Sequence, residues 1–200
     1  MVPFKDITPN FLDRVQSVNY TDLPRLKICP TILDYVTEDI VYHLKSSRPY
    51  NYIRERINKH ILWDLSNKRI EGDRAINVKF LGQSIWTREA LLRYLERKGE
   101  PGISNIKGLQ LEHCNERIWY TNRLQAMSPE APGLKGRVKS LLETTLCVVV
   151  TPELHRRLPS GETLLEDPWR RYREENPTLY WIDWNRAGRW SIERIQKIII

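Results

Sequence analysis

Two strand-like runs, with a helix directly after the second, decide the fold of this chain. Residues 108–113 read Gly-Leu-Gln-Leu-Glu-His, residues 146–150 read Leu-Cys-Val-Val-Val, and residues 151–158 continue as Thr-Pro-Glu-Leu-His-Arg-Arg-Leu. Thr151 is typical of a helix N-cap, and Pro152 is typical of the first helical position. The sequence therefore predicts two strands and a helix. One strand ends in a carboxylate and an imidazole, and the helix carries a second imidazole.

The ends of these elements carry groups suited to phosphate chemistry. The Glu112 carboxylate is a hard ligand of the kind Mg²⁺ prefers, and the neutral His113 imidazole is suited to activate water. Neighbouring residues on a strand point to opposite faces, so both side chains serve one site only if the chain turns at residues 114–117. The first turn of the following helix favours an anion, and Arg156 and Arg157 lie close to it. The segment therefore favours a site for one metal ion and a phosphate.

The order strand, Glu-His, strand, Thr-Pro-Glu-Leu-His-Arg-Arg-Leu resembles the HNH nucleases, the ββα-metal class of endonucleases. The resemblance covers residues 108–158 of the 200. It implies that His113 is the catalytic base that activates water and that Glu112 and His155 hold the metal. Asn122 and Glu153 are alternative metal-binding or orienting groups. The expected cofactor is a divalent cation, Mg²⁺ or alternatively Mn²⁺, and the expected substrate is DNA.

The chain departs from this family in three features of its sequence, one of which is that the middle asparagine of the motif is unassigned, although Asn122 is available. Its three cysteines, Cys29, Cys114 and Cys147, form no Cys-x-x-Cys pair, so no structural zinc is expected. His155 also follows His113 by 42 residues, which is more than a compact hairpin needs. Residues 124–127 and 138–142 predict helices inserted into this connection.

Arginine and aromatic residues around the motif predict contacts to nucleic acid. The arginines expected to bind phosphates are Arg117, Arg156 and Arg157, and the further expected contacts are Trp169, Arg170, Arg171 and Tyr172. A formal net charge of +7 and a pI near 9.4 also favour a polyanionic partner.

The remaining patterns predict an α+β fold in two parts. Residues 1–100 are expected to be mostly helical, with a small hairpin that turns at Gly82-Gln83. The basic helix that contains residues 54–59 is a candidate for DNA binding or specificity. Residues 101–200 are expected to form the HNH-like, ββα-metal-like core with its helical insertion and an aromatic-rich tail. Alternatively, residues 1–100 and 101–200 pack together as one domain.

Composition limits the setting in which the chain works. With 40% hydrophobic and 28% charged residues the chain is globular, and no apolar run approaches the roughly 20 residues that span a bilayer. The scattered cysteines favour a reducing compartment, so we expect a cytoplasmic protein without a membrane partner. Nothing in the sequence indicates a homodimer.

Two functions fit these observations. One is a metal-dependent endonuclease that hydrolyses phosphodiester bonds in DNA, with His113 activating water. The other is a catalytically inactive module on the same scaffold that binds nucleic acid or a protein. Cation binding at Glu112 separates the two. DNA or RNA as the target, the target sequence, and nicking or double-strand cleavage are left open by these residues.

Overall fold

A computed structural model of the chain describes residues 2–3, 7–23, 30–46, 50–59, 65, 68–71, 74–77, 80, 83–96, 108–115, 117–160, 167, 169–184 and 191–200. The helices are α1 (Pro9–Leu12), α2 (Pro30–Lys45), α3 (Tyr50–Lys59), α4 (Arg88–Glu96), α5 (Arg117–Gln125), α6 (Leu134–Leu142), α7 (Pro152–Arg157) and α8 (Arg170–Glu175). The strands are β1 (Val2–Pro3), β2 (Ser17–Asn19), β3 (Lys68–Glu71), β4 (Arg74–Asn77), β5 (Ile85–Thr87), β6 (Gln110–His113), β7 (Cys147–Val150), β8 (Leu179–Trp184) and β9 (Ser191–Ile199). The predicted α+β class is confirmed.

The main sheet has the strand order β1-β9-β8-β5-β7-β6, and β2 also pairs with β9. The β5/β7 and β2/β9 pairs are parallel, whereas β6/β7, β5/β8, β8/β9 and β1/β9 are antiparallel. Strands β1, β2 and β5 precede residue 100, and the other strands of this sheet follow it. Both segments of the predicted division therefore contribute strands to one sheet.

The small hairpin differs from the predicted one. Strands β3 and β4 pair with each other, with Lys68 opposite Asn77. Strand β5 lies instead in the main sheet, where Ile85 is opposite both Val148 and Trp181. The predicted hairpin with its turn at residues 82–83 is therefore wrong, and residue 82 lies outside the described residues. The physical reason is burial, since β5 is buried at all its positions and fits a central strand.

Helices cover both faces of the main sheet. On one face, α4 packs Leu91 and Tyr94 against Trp86 and Val149. On the other face, the core contains Val148, Val150, Leu154 of α7, and Trp169 and Tyr172 beside or within α8. Helix α7 begins where the sequence predicted, because the Thr151 hydroxyl accepts a hydrogen bond from the Leu154 N–H at 3.3 Å.

Helices α5 and α6 occupy the connection between β6 and β7, as the helical patterns there predicted. They pack with α2 and α3 in a third core cluster that includes Val36, Ile57, Tyr120 and Val138. Among the helices within the described ranges, none combines the length and apolar character needed to cross a membrane.

Candidate functional site

The pairing of β6 with β7 separates the two residues of the Glu-His motif. Glu112 is opposite Val148, and His113 is opposite Cys147. Because directly opposed residues share a face, Glu112 lies on the face that α7 and α8 cover. His113 lies on the other face, with 5% of its surface exposed. Both residues lie within β6, so their side chains point to opposite faces of the sheet and do not share one site.

Glu112 is buried and engages a protein partner through each carboxylate oxygen. It is 6% exposed, and its Oε1 accepts a hydrogen bond from Nη1 of Arg171 at 2.6 Å. Its Oε2 is in direct contact with Nδ1 of His155 on α7. The predicted pair of Glu112 and His155 is therefore brought together, and Arg171 joins it as a third member.

Arg171, on α8, connects the end of β6 with the segment that contains Pro159. Besides Glu112, its Nη1 hydrogen-bonds the His113 carbonyl oxygen at 3.3 Å, and its Nε donates to the Pro159 carbonyl oxygen. The residue is 4% exposed. A guanidinium with several fixed donors suits such a junction, because it can satisfy a carboxylate and two carbonyls at once.

Arg171 was expected to contact nucleic acid, yet its side chain is turned inward. A signal for this was present in α8. Arg170 and Glu174 are four residues apart and form an ion pair with an N···O distance of 3.1 Å, which marks the solvent face. Arg171 lies off that face, next to the buried Tyr172.

The contact with Glu112 orients the His155 imidazole. A carboxylate oxygen accepts hydrogen bonds, so Nδ1 of His155 is the donor in this contact, and Nε2 is the ring nitrogen that Glu112 does not contact. The His155 side chain is 44% exposed. The arrangement thus combines a buried orienting carboxylate with an imidazole that reaches the surface, which suits proton transfer or metal ligation.

The predicted metal ligands fit a cation only in part. Both Glu112 oxygens are engaged, one of them by a guanidinium that repels an added cation. Within the described part of the chain, no three His, Cys, Asp or Glu side chains lie grouped as a metal site. Glu112 therefore does not fit as a direct ligand in this arrangement. The outward Nε2 of His155 fits one coordination position, with Glu112 behind it as the orienting carboxylate.

The alternative donors lie elsewhere. Glu153 is exposed and pairs with Arg93 of α4 at 3.2 Å. A hydrogen bond from its own backbone N–H is the main cause that holds the pKa of Glu153 below its usual value, with smaller contributions from Thr151 and Arg93. Asn122 is exposed on α5. Arg117 begins α5, and its side chain lies outside the described part of the structure.

The arginines of α7 and α8 divide into paired and unpaired residues. The ion pairs are Arg157 with Glu175 at 2.9 Å, Arg170 with Glu174, Arg171 with Glu112, and Arg173 with Asp167. Arg156 is exposed and has no such pair within the described ranges, so it is the arginine here that is available to an anion.

Two further expected contacts are core residues. Trp169 is 4% exposed and Tyr172 is fully buried. The Trp169 ring lies against Tyr20 with 4.4 Å between ring centroids. These aromatic residues and Arg171 hold the structure together, and Arg170 is the member of the expected Trp169–Tyr172 cluster that reaches the surface. The aromatic pattern of this stretch reflects packing beneath the sheet.

The fold and this site define an α+β protein in which a buried Glu-Arg pair holds a surface histidine. Comparison of the chain with protein-family models, with curated proteins and with solved structures finds no match.

Proposed function

We propose that the chain hydrolyses phosphodiester bonds in DNA with the help of a divalent cation, Mg²⁺ or alternatively Mn²⁺, and that His155 is its central reactive side chain. The observation that carries this proposal is the contact between Glu112 at the end of β6 and His155 on α7. It joins β6 to α7 and leaves an oriented imidazole at the surface.

In this reaction the side chains transfer a proton while water attacks the phosphorus atom. Nε2 of His155 accepts a proton as the water oxygen attacks phosphorus, and the bond from phosphorus to the 3′ oxygen breaks. The Glu112 carboxylate stabilises the imidazolium that forms, and solvent protonates the leaving oxygen. A bound cation would neutralise charge on the phosphate.

Phosphate binding is assigned to Arg156. It follows His155 directly, is exposed, and has no carboxylate partner within the described ranges. Arg157, by contrast, is occupied by Glu175. The formal net charge of +7 supports a polyanionic substrate. The free thiols of Cys114 and Cys147 support a reducing, cytoplasmic setting.

The resemblance to HNH nucleases implies a different base, His113, which remains a prediction. The two histidines are separated by comparing His155→Ala with His113→Ala on supercoiled plasmid in Mg²⁺ and in Mn²⁺. We expect His155→Ala to lower the cleavage rate by about 10²- to 10⁴-fold, the usual contribution of a positioned base. If only His113→Ala has this effect, the base is His113.

Matched arginine variants test the phosphate contact in the same assay. Arg156→Ala should raise KM for plasmid, whereas Arg157→Ala, one residue further along the helix, should leave it unchanged. Single-stranded DNA and RNA of matched length identify the substrate class.

The alternative function is a binding module without catalysis. Plasmid that is bound but left uncut by the wild-type protein at millimolar Mg²⁺ and Mn²⁺ would overturn the proposed hydrolysis and establish that module. Cleavage by His155→Ala and His113→Ala at the wild-type rate would overturn the proposed chemistry.

A further inference from the structure

Exposed tyrosines are concentrated on two neighbouring helices far along the chain from the Glu112 site. Four large hydrophobic side chains are exposed within the described residues, and three of them are Tyr35 (56%), Tyr42 (61%) and Tyr52 (37%) on α2 and α3. The fourth is Ile199 (53%) on β9. We call the three tyrosines the tyrosine face.

The contacts between α2 and α3 place these rings side by side. The helices run antiparallel, because Asp39 pairs with Arg56 at 3.3 Å while His43 lies against Tyr52 with ring centroids 5.4 Å apart. Tyr42 lies against the same His43 ring with centroids 5.3 Å apart. His43 is 4% exposed, so the exposed rings of Tyr42 and Tyr52 both pack against one buried imidazole. Tyr35 lies two helical turns from Tyr42 on the same side, about 10 Å away along the axis.

The acidic residues of α2 do not give this surface a negative charge. Asp34 is paired with Lys139 at 2.6 Å and Glu38 with Lys135 at 2.8 Å, both on α6. Asp39 is held by Arg56. Each carboxylate that α2 contributes is therefore matched by a cation.

Two lysines lie at opposite ends of the tyrosine face. Lys45 ends α2 three residues after Tyr42, and Lys59 ends α3 seven residues after Tyr52. Both are exposed, and neither makes an ion pair within the ranges that the structure describes. Because the helices are antiparallel, Lys45 lies toward the Tyr52 end and Lys59 toward the Tyr35 end.

We propose that the tyrosine face binds a single strand of nucleic acid, with bases stacked on Tyr42 and Tyr52 and phosphates contacted by Lys45 and Lys59. Aromatic rings bordered by cations are the chemistry by which proteins hold single strands without reading sequence. In a duplex the bases already stack on one another, so these rings would offer it little. The proposal concerns binding alone and does not rest on cleavage at His155.

Fluorescence anisotropy of the full chain with labelled oligo-dT, oligo-U and a duplex of equal length tests the proposal. EDTA is present, so that cleavage cannot interfere. The single strands should bind more tightly than the duplex. Tyr42→Ala and Tyr52→Ala should each weaken binding of the single strand by about 5- to 150-fold, the range for loss of one stacked base.

Control variants distinguish stacking from loss of structure. Tyr42→Phe keeps the ring and should keep the affinity, and Ile199→Ala removes an equally exposed side chain away from the face and should change nothing. Lys45→Ala should lower the salt dependence of binding by about one phosphate contact.

Three results would overturn the proposal. They are affinity for single strands that survives Tyr42→Ala and Tyr52→Ala, tighter binding of the duplex than of either single strand, and absence of oligonucleotide binding at low salt. Circular dichroism of each variant verifies that the helices are retained.

Discussion

Two of the arginine-carboxylate pairs that hold helix α8 share their chemistry and differ in their surroundings. In the first, the side chains of Glu112 and Arg171 are 7% and 5% exposed, with the bonded atoms 2.6 Å apart. In the second, Arg157 and Glu175 are 60% and 26% exposed, with the bonded atoms 2.9 Å apart. Water solvates the second pair whether or not it forms. The first pair has lost that solvation, so each partner depends on the other.

The largest expected effect is that of Arg171→Met. It removes the cation and leaves the Glu112 carboxylate buried without a counter-charge, so the free energy of unfolding should fall by about 3–5 kcal/mol. Urea denaturation followed by tryptophan fluorescence measures this loss. Arg170→Met, at the exposed neighbouring position, is the control. A loss below about 1 kcal/mol, the range of exposed pairs, would mean that water reaches Glu112.

Removing both charges at once should reverse most of that loss. The double variant Glu112→Leu with Arg171→Met leaves neither charge alone in the core, and buried pairs replaced by apolar residues are often near neutral for stability. A double-mutant cycle by urea denaturation measures the coupling. If the stability losses of the two single variants simply add, Glu112 and Arg171 do not depend on each other.

A smaller effect is expected at the start of α7, which positions His155 against Glu112. Thr151→Ala removes the hydroxyl that accepts from the Leu154 N–H and should lower the free energy of unfolding by about 1 kcal/mol. Thr151→Ser keeps the acceptor and should retain most of the stability. Equal losses in both variants would indicate packing of the Thr151 methyl group instead of capping.

The smallest effect is expected for the exposed pair. Arg157→Ala should change the free energy of unfolding by about 0–1 kcal/mol, because solvent replaces the lost contact with Glu175. Thermal unfolding in low and high salt measures it, and any difference from the wild type should shrink as salt rises. A loss as large as that of Arg171→Met would show that exposure does not separate the two pairs.

Local signals predicted much of the helical structure. Thr151-Pro152 predicted that α7 begins at Pro152, and α1 begins at Pro9 with the same Thr-Pro pair. Thr87 caps α4 by accepting from the Ala90 N–H at 3.3 Å. These signals act over three or four residues, so a single sequence contains them in full.

Partners that are distant in sequence could not be predicted from such local signals. The sequence of β5 contains no signal that identifies its partners β7 and β8. A hairpin with the preceding strand was predicted because that strand is closer in sequence. Arg171 shows the same limit in the site. Its carboxylate partner is 59 positions away in sequence, and an arginine among arginines is typical of a surface. Glu112 and His155 were expected at one site because the resemblance to HNH nucleases implies that both hold the metal.

The sheet order also constrains how the protein is made. Strands β1 and β2 pair along the same edge of β9, which is synthesised long after them, and β5 pairs with β7 and β8 from beyond residue 146. Such pairings between distant segments slow folding, because a long loop must close before any contact forms. During synthesis on the ribosome, β1, β2 and β5 remain without these partners until the later strands emerge. The emerging chain therefore exposes unpaired strand edges, at which chaperones can act.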